Sequence, residues 1–511
     1  MRKGFAIAAG HRLTAEAGAD VLRAGGSAVD AGVAAALMAM VAEPVLAGLM
    51  GGGVAMIRPA AGSPRFLDAF VAGPRVKRPP SELDFRAISA DFGPATQAFR
   101  IGAGTIAVSG LAAGLAEAHA RFGRMPFRDL VRPAADAARR GVPLTPFQAR
   151  LAEIVAPILT ASPAARALHA DGDKLRGAGG VFRNSDFADL LDEFGAAGPR
   201  FVQEGEVAAA VLALARDGGH LTPDDFAVYR PEWRAPVRRH RGADLALAPV
   251  PSLGGALIGF SLALAGNLPS PVEAARIFLA TARARLETGL DREPEAGALA
   301  LADPELVARV RAGFRGRAPA HRGTTQISAI DGEGLGIALT LSNGEGCGLI
   351  APGTGIMPNN MLGEADLMPD GWHSWAPGRR LSTMMAPLSV EWPDGRVALM
   401  GSGGSNRIRT ALAQTLWQLL DGGADLADAI AASRLHAEPS DNSEEPPEAV
   451  DFEEAGLGEA DRAALLRAYP DARAWPEPSM FFGGVHAVLR EAKGGLRAVG
   501  DPRRDGHAIT G

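Results

Sequence analysis

A single cysteine, Cys347, stands among 511 residues, which excludes an internal disulfide framework and a cysteine-rich metal site. Aromatic residues are also scarce, at 5% against 47% hydrophobic residues overall, so the core has to be built from Ala, Leu and Val rather than rings. Strong charge of either sign is missing. A formal net charge of −6 over this length offers no basic face to meet phosphates and argues against nucleic acid as a partner. Long apolar runs are missing too. The longest, "AGVAAALMAMVA" at 31–42, has about 12 residues, short of the roughly 20 that a membrane span needs. The opening "MRKGFAIAAGHRLTAEAG" carries two basic residues, but its apolar run is broken at Gly10 and His11, and a charged helical segment follows, unlike a cleaved leader. The expectation is a cytoplasmic protein without membrane or nucleic-acid contacts, with export left open.

Motifs for metal and phosphate chemistry are equally sparse. The ten histidines are scattered, with no HExxH and no cysteine pair, so no metal and no cofactor are expected. His436 and His486 are candidates to line a pocket, at a spacing that defines no ligand set. The triple glycine 51–53 lacks the lysine of a P-loop and precedes a strand, which suits a tight turn with close backbone packing. "LMGSGGSNRIR" reads as strand, glycines, then helix, yet Ser402 directly follows Gly401, so it is no G-x-S-x-G elbow. Two readings of it stand: backbone N–H groups at a helix start, able to hold an oxyanion, or an ordinary Gly-rich turn.

What is present is a long series of helices followed by a strand-rich segment. Periodicity predicts helices over 14–24, with Thr14 as N-cap, 29–41, 110–122, 128–140, 205–217 and from about 254, and surface-lying helices within 269–323. Strands are expected at 324–330, 336–341, 388–392 and 397–401, then a helix over 408–420. The acidic, Pro-containing stretch "HAEPSDNSEEPPEAVDFEEAG" (436–456) reads as a surface loop. Length alone allows two to four domains, although a layered fold can reach this size as one unit. Helices covering sheets is the architecture this order favours.

One stretch does not fit a plain hairpin. "HRGTTQISAIDGEG" (321–334) alternates as a strand and ends in an Asp-Gly turn, but it places Gly323, Thr324 and Thr325 at the strand mouth behind the loose run "GFRGRAPAHRG". A threonine hydroxyl is a poor nucleophile without an adjacent base. Were the bond before Thr324 cut, that residue would gain an α-amine with a reference pKa of about 7.7 to 8, within reach of its own hydroxyl. Gly323, lacking a Cβ, leaves its carbonyl open to attack and tolerates strained dihedrals. The bland alternative is two β-forming threonines on an exposed strand.

Several motifs in fixed order break the tie. "TAEAGADVLRAGGSAVDAGVAAALMAMVAEP", "GLMGGG", "AVSGLAAGLAEAHARFG", "GGHLTPDDFAVYRPEWRAPV", "GTTQISAIDGEG", "PGTGIMPNNML", "PGRRLSTMMAP", "GSGGSNRIRTAL" and "GDPRRDG" together resemble the gamma-glutamyltranspeptidase family of N-terminal-nucleophile hydrolases, over nearly the whole chain. The resemblance implies an α+β fold, a four-layer αββα sandwich. It also implies a precursor cut by its own threonine between Gly323 and Thr324, giving a large subunit (1–323) and a small subunit (324–511) that stay together as one intertwined unit, with further oligomerisation open. The partners implied are a small-molecule amide and a water or amine acceptor.

Carried over by position, Thr324 is the implied nucleophile and Ser342 its hydroxyl hydrogen-bond partner. Asn343 is implied to help hold the substrate carboxylate, and Ser382 and Thr383 match the pair that binds an α-carboxylate. Gly404 with Ser405 or Gly403 matches the oxyanion glycines, and Glu364 stands, as a departure, where the family has the aspartate that grips the substrate amine. The sequence departs from the family where an arginine is expected and Phe70 stands, where a polar residue is expected and Met361 stands, and where Gln326 replaces a histidine. Losing an arginine–carboxylate fork removes a contact of about 1.5 to 3 kcal/mol, which Arg75 or Arg379 would have to supply from another direction. The resemblance therefore implies a threonine amidohydrolase acting on gamma-glutamyl amides such as glutathione. The alternatives are an acylase of the cephalosporin acylase type and an uncleaved binding protein. Cys347, with no basic neighbour in sequence, is expected to serve packing only.

Overall fold

The computed structural model describes residues 4–91, 96–198, 200–312, 324–439 and 448–511. Two stacked antiparallel sheets are built from thirteen strands. In chain order these are β1 (Ala6–Ala9), β2 (Gly52–Arg58), β3 (Arg65–Ala69), β4 (Glu232–Arg234), β5 (Val237–His240), β6 (Asp244–Leu247) and β7 (Thr325–Ile330). They continue with β8 (Gly336–Ser342), β9 (Leu388–Glu391), β10 (Val397–Gly403), β11 (Gly484–Arg490), β12 (Leu496–Val499) and β13 (His507–Thr510). The first sheet has the order β4-β3-β2-β8-β7-β1-β13 and the second β5-β6-β9-β10-β11-β12. β7 crosses both β10 and β11, so the sheets pack face to face through the strand that follows Thr324.

Helices close both outer faces. α1 (Arg12–Arg23), α2 (Ala28–Ala42) and α3 (Leu111–Phe122) cover the first sheet, with α4 (Phe127–Arg140) packed outside on α2; α5 (Leu253–Leu264) and α7 (Arg407–Leu420) cover the second, with α6 (Pro271–Glu287) packed on α5. This is the four-layer αββα sandwich, an α+β fold. α2 is apolar all round because it is buried all round, between α1, α4 and the sheet. A capping box between Ser27 and Asp30 starts it.

β7 shows how the layers are sorted. Successive strand residues point to opposite faces. Ile327 and Ala329 enter the core under the helices, while Ile330 enters the core between the sheets. Thr325 shares the helix-side parity, and Thr324, Gln326 and Ser328 share the inter-sheet parity.

Three expectations are corrected. Thr14 is not the N-cap of the first helix: His11 is, accepting from the Leu13 N–H at 3.0 Å, and Thr14 is buried within α1. The helix over 271–287 is not surface-lying, since Ala274, Ile277, Phe278 and Ala280 are buried against neighbouring elements. Residues 313–323 lie outside the described residues. The acidic stretch is not a loop over its described parts: Leu435–Pro439 and Glu448–Glu453 are paired strands, and Asp451 and Glu453 are buried. The Arg473 and Trp475 side chains donate to Asp451, and Arg503 donates to Glu453, so the acidic residues are neutralised from distant sequence. Residues 440–447 are outside the described residues. No helix among the described residues is long and apolar enough to cross a membrane.

Candidate active site

The β7–β8 register pairs Thr325 with Leu341 and Gln326 with Thr340. Carried one step further, it brings Ser342 opposite Thr324, and facing positions on such a ladder put their Cβ atoms about 4.5–5.5 Å apart. Both side chains line one cavity at the strand ends. Across the sheet gap, β10 ends at Gly403, where a Cβ would collide with the Thr324 carbonyl oxygen. The same carbonyl accepts from Arg504 Nη1 at 3.3 Å. Arg504 is buried, and its Nη2 donates to the Met480 carbonyl. Burial pulls its pKa down to about 10, with Asp501 opposing the shift.

The second strand position is held as tightly. Gln326 donates from Nε2 to the Ile327 carbonyl at 2.9 Å and to Ser328 Oγ at 3.0 Å, and accepts from Thr340 Oγ1 at 2.6 Å. Gly401, on the facing sheet, makes room for it. On the helix-side face, Thr325 Oγ1 donates to Glu43 Oε2 at 2.6 Å, and Thr14 Oγ1 donates to Glu43 Oε1 at 2.8 Å.

The triple glycine reads as expected, a place of close backbone approach. Ser342 is paired with Gly52, and a Cβ on Gly52 would lie 2.9 Å from the Phe70 ring. Phe70 can therefore reach the cavity wall; its carbonyl accepts from Tyr229 Oη at 2.5 Å and from Arg380 Nη1 at 2.8 Å. Asn359 bonds Met50, Ala107 and Met361 at once, tying the glycine turn to the loop that carries Met361 and Glu364.

Of the residues singled out in the sequence, Thr324, Ser342, Glu364, Ser382, Thr383 and Ser405 all line the cavity. Phe70 and Met361 line it as well, joined by Leu253, Met384, Met385 and Ile408, so much of its wall is apolar. Gly403 and Gly404 stand just behind Thr324 and Ser405. Gly404 has φ +117 and Ser405 φ +49, the left-handed turn that feeds α7. Asn343 is not brought to the cavity wall: its amide donates to the Met357 carbonyl at 3.0 Å, and its side chain packs on Gly48. Neither Arg75 nor Arg379 lines the cavity; Arg379 lines an adjoining one of 390 Å³ that shares Leu367 and Ser382 with it. Gly323 lies outside the described residues. Cys347 is fully buried, and burial pushes its thiol up to about 12.

Sequence reasoning missed four residues around this site. Arg285, from α6, lines the cavity and is held by Asp291 at 2.7 and 2.8 Å. Asp366 lines it too and accepts from Ser405 Oγ at 3.2 Å. Arg504 and Glu43 act from behind Thr324. The only sequence signals were a doubled arginine in "GDPRRDG" and a lone glutamate ending a helix that is apolar after Asp30. Among the described residues no cluster of His, Cys, Asp and Glu is arranged to hold a metal ion.

The comparisons with known proteins agree with this geometry. Residues 14–511 match the family model described as gamma-glutamyltranspeptidase. The chain is 30% identical to an acylase ACY 1 proenzyme of Pseudomonas sp. (strain SE83), covering 99% of this chain and 93% of that one. It is 29% identical to a glutathione hydrolase proenzyme of Pseudomonas aeruginosa, covering 85% and 83%. In fold it is similar to the cephalosporin acylase from Bacillus halodurans, with a TM-score of 0.83 at 22% identity over 99% of this chain and 96% of that one. With a family match over nearly the full length, beside a threonine at a strand mouth and a glycine turn fitted around it, the chain belongs to the gamma-glutamyltranspeptidase family.

Proposed function

We propose that the protein is a self-processing threonine amidohydrolase and acyltransferase. Thr324 Oγ attacks the Gly323 carbonyl carbon, the 323–324 amide gives way to an ester, and water hydrolyses that ester. A carboxylate is left on residue 323 and an α-amine on Thr324. In the mature protein the amine takes the proton from the Thr324 hydroxyl as oxygen attacks a substrate amide. The proton passes to the leaving amine, and the acyl group stays on Thr324 until water or an acceptor amine removes it.

A single observation carries this reading: Thr324 sits at the base of a cavity, opposite Ser342, with Gly403 shaped around its carbonyl. Arg504 adds electrostatic support. A guanidinium bonded to the residue's own carbonyl disfavours a second positive charge there, which favours the neutral, proton-accepting amine. The test is a denaturing gel with N-terminal sequencing. Wild-type protein should give two fragments, the smaller beginning at Thr324, and Thr324→Ala should give one inactive chain. Native, active protein still intact across 323–324 overturns the mechanism.

For substrate, gamma-glutamyl amides such as glutathione are the first to try, in line with the glutathione hydrolase relative. An acylase reading on a less polar acyl group is favoured by Phe70 and Met361 in the cavity wall, in line with the acylase relative. Parallel hydrolysis of gamma-glutamyl and glutaryl anilides separates them, and faster release from glutaryl demotes the first.

A further inference from the structure

Self-cleavage creates a structural problem at the same place where it creates the nucleophile. Once residue 323 is released, Thr324 is a chain end, and chain ends fray unless something ties them down. β7 spans Thr325–Ile330, so the catalytic residue stands at its mouth rather than within it. A frayed terminus would swing the hydroxyl and the amine away from the substrate carbonyl.

The fold carries a device at that position. Thr325 is the first residue of the strand, and its side chain points to the helix-side face, opposite to Thr324. There its hydroxyl donates to Glu43 Oε2 at 2.6 Å, while Thr14 of α1 donates to the other oxygen at 2.8 Å. Glu43 caps the C-terminus of α2 and has no exposed surface. Gly10, at the end of β1, is small by necessity: a Cβ there would stand 2.7 Å from Thr325 Oγ1 and 2.8 Å from Glu43 Oε2. Four elements thus converge on one carboxyl group, bonded to the residue next in sequence to the nucleophile.

We infer that Glu43 is a positioning residue: it clamps the Thr325 hydroxyl, and so fixes the direction in which the freed Thr324 terminus points. This rests on Thr324 being the nucleophile of the mature protein. Accepting from two hydroxyls at once suits the carboxylate form, both of whose oxygens are acceptors. Burial above all raises this carboxyl to about 7, against the two threonine hydrogen bonds and with a small push from the charge of Asp505. His486 of β11, on the far side of Gly10, and His11 at the head of α1 are both lowered to about 4 by burial and supply no cation near neutral pH. Acidification through neutrality therefore removes one of the two acceptors.

The test uses the mature protein with three variants: Glu43→Gln, Thr325→Val and Thr325→Ser. Expected for the first two is a kcat lower by about 10- to 100-fold with KM within about twofold, since the group acts on alignment. Thr325→Ser keeps the hydroxyl and should restore kcat. The acid limb of the kcat profile should show two ionisations in wild type and one in Glu43→Gln. Trimming of the small chain by an added aminopeptidase, followed by mass spectrometry, should be faster in Glu43→Gln and Thr325→Val than in wild type. If Glu43→Gln fails to fold, the Thr325 pair carries the test alone. Wild type that is cut and active, with Thr325→Val matching it in kcat and terminal protection, overturns the clamp and leaves the proposed function standing. Wild type that is never cut overturns both.

Discussion

The two ends of the candidate active-site cavity are built differently. At the Thr324 end, the proposed nucleophile end, position is set by backbone: the β7–β8 register, a glycine that admits the Thr324 carbonyl, and a buried arginine bonded to it. At the recognition end, the wall is made of side chains on long loops, among them Phe70, Met361, Ser382 and Met384. Backbone constraints cannot be relaxed one residue at a time, whereas wall side chains can be exchanged without moving a strand. The comparison accounts for relatives named as acylase and as glutathione hydrolase at nearly equal identity.

Breaking the nucleophile end should have the largest effect. Gly403→Ala drives a methyl into the Thr324 carbonyl, and turnover should fall by at least about a hundredfold, comparable to losing an oxyanion donor. Titrating kcat and the extent of cutting side by side measures it. Gly404→Val is a poorer probe than the sequence implies. At φ +117, with Gly483 and Arg504 about 3 Å from an added Cβ, it strains the fold along with any oxyanion site.

The next effect is on stability against pH. Glu43 is raised in the fold, so its contribution is fully present below its ordinary value near 4.5 and is lost as pH rises through about 7. A shift of that size is worth roughly 3 kcal/mol. Denaturation midpoints of wild type relative to Glu43→Gln should therefore decline between about pH 4.5 and 7, and parallel curves would show that the carboxyl does not titrate there. The ionised clamp is thus bought with folding stability.

A smaller loss is expected from Arg504→Met, which removes a charged hydrogen bond to the Thr324 carbonyl, worth about 1.5–3 kcal/mol, or roughly 10- to 150-fold in rate. It should also shift the amine ionisation, on the acid limb, upward, visible in kcat/KM against pH. The recognition end sharpens the comparison last. Phe70→Arg should raise the ratio of gamma-glutamyl to glutaryl hydrolysis by about tenfold, equivalent to about 1.4 kcal/mol, while leaving self-cleavage unchanged. A variant that alters cutting instead would place Phe70 with the nucleophile machinery.

Much of this was legible in the chain. The 3.6-residue apolar period gave α2, α3 and α4 nearly to the residue, and alternation gave β7 and β8, because those signals are local. Thr324, Ser342 and Ser382 stood out by motif, and they converge on one cavity. The misreadings share a cause. His11 displaced Thr14 as a cap because Thr14 is drawn to Glu43, a partner 29 positions away. Asp451 and Glu453 became strand residues because Arg473 and Arg503 neutralise them. Asn343 turned from the cavity because Met357 and Gly48 hold it.

By itself, then, the order of residues determined the family and the layered fold, since local periodicity and motifs spaced in fixed order along the chain are readable without knowing which segments meet, and it points to 324 as the place where a nucleophile would be made. Only tertiary structure decided that Glu43, Arg285, Asp366 and Arg504 surround that place. A buried charge is tolerated only where partners from remote segments meet it, and which segments meet is a property of the packed chain.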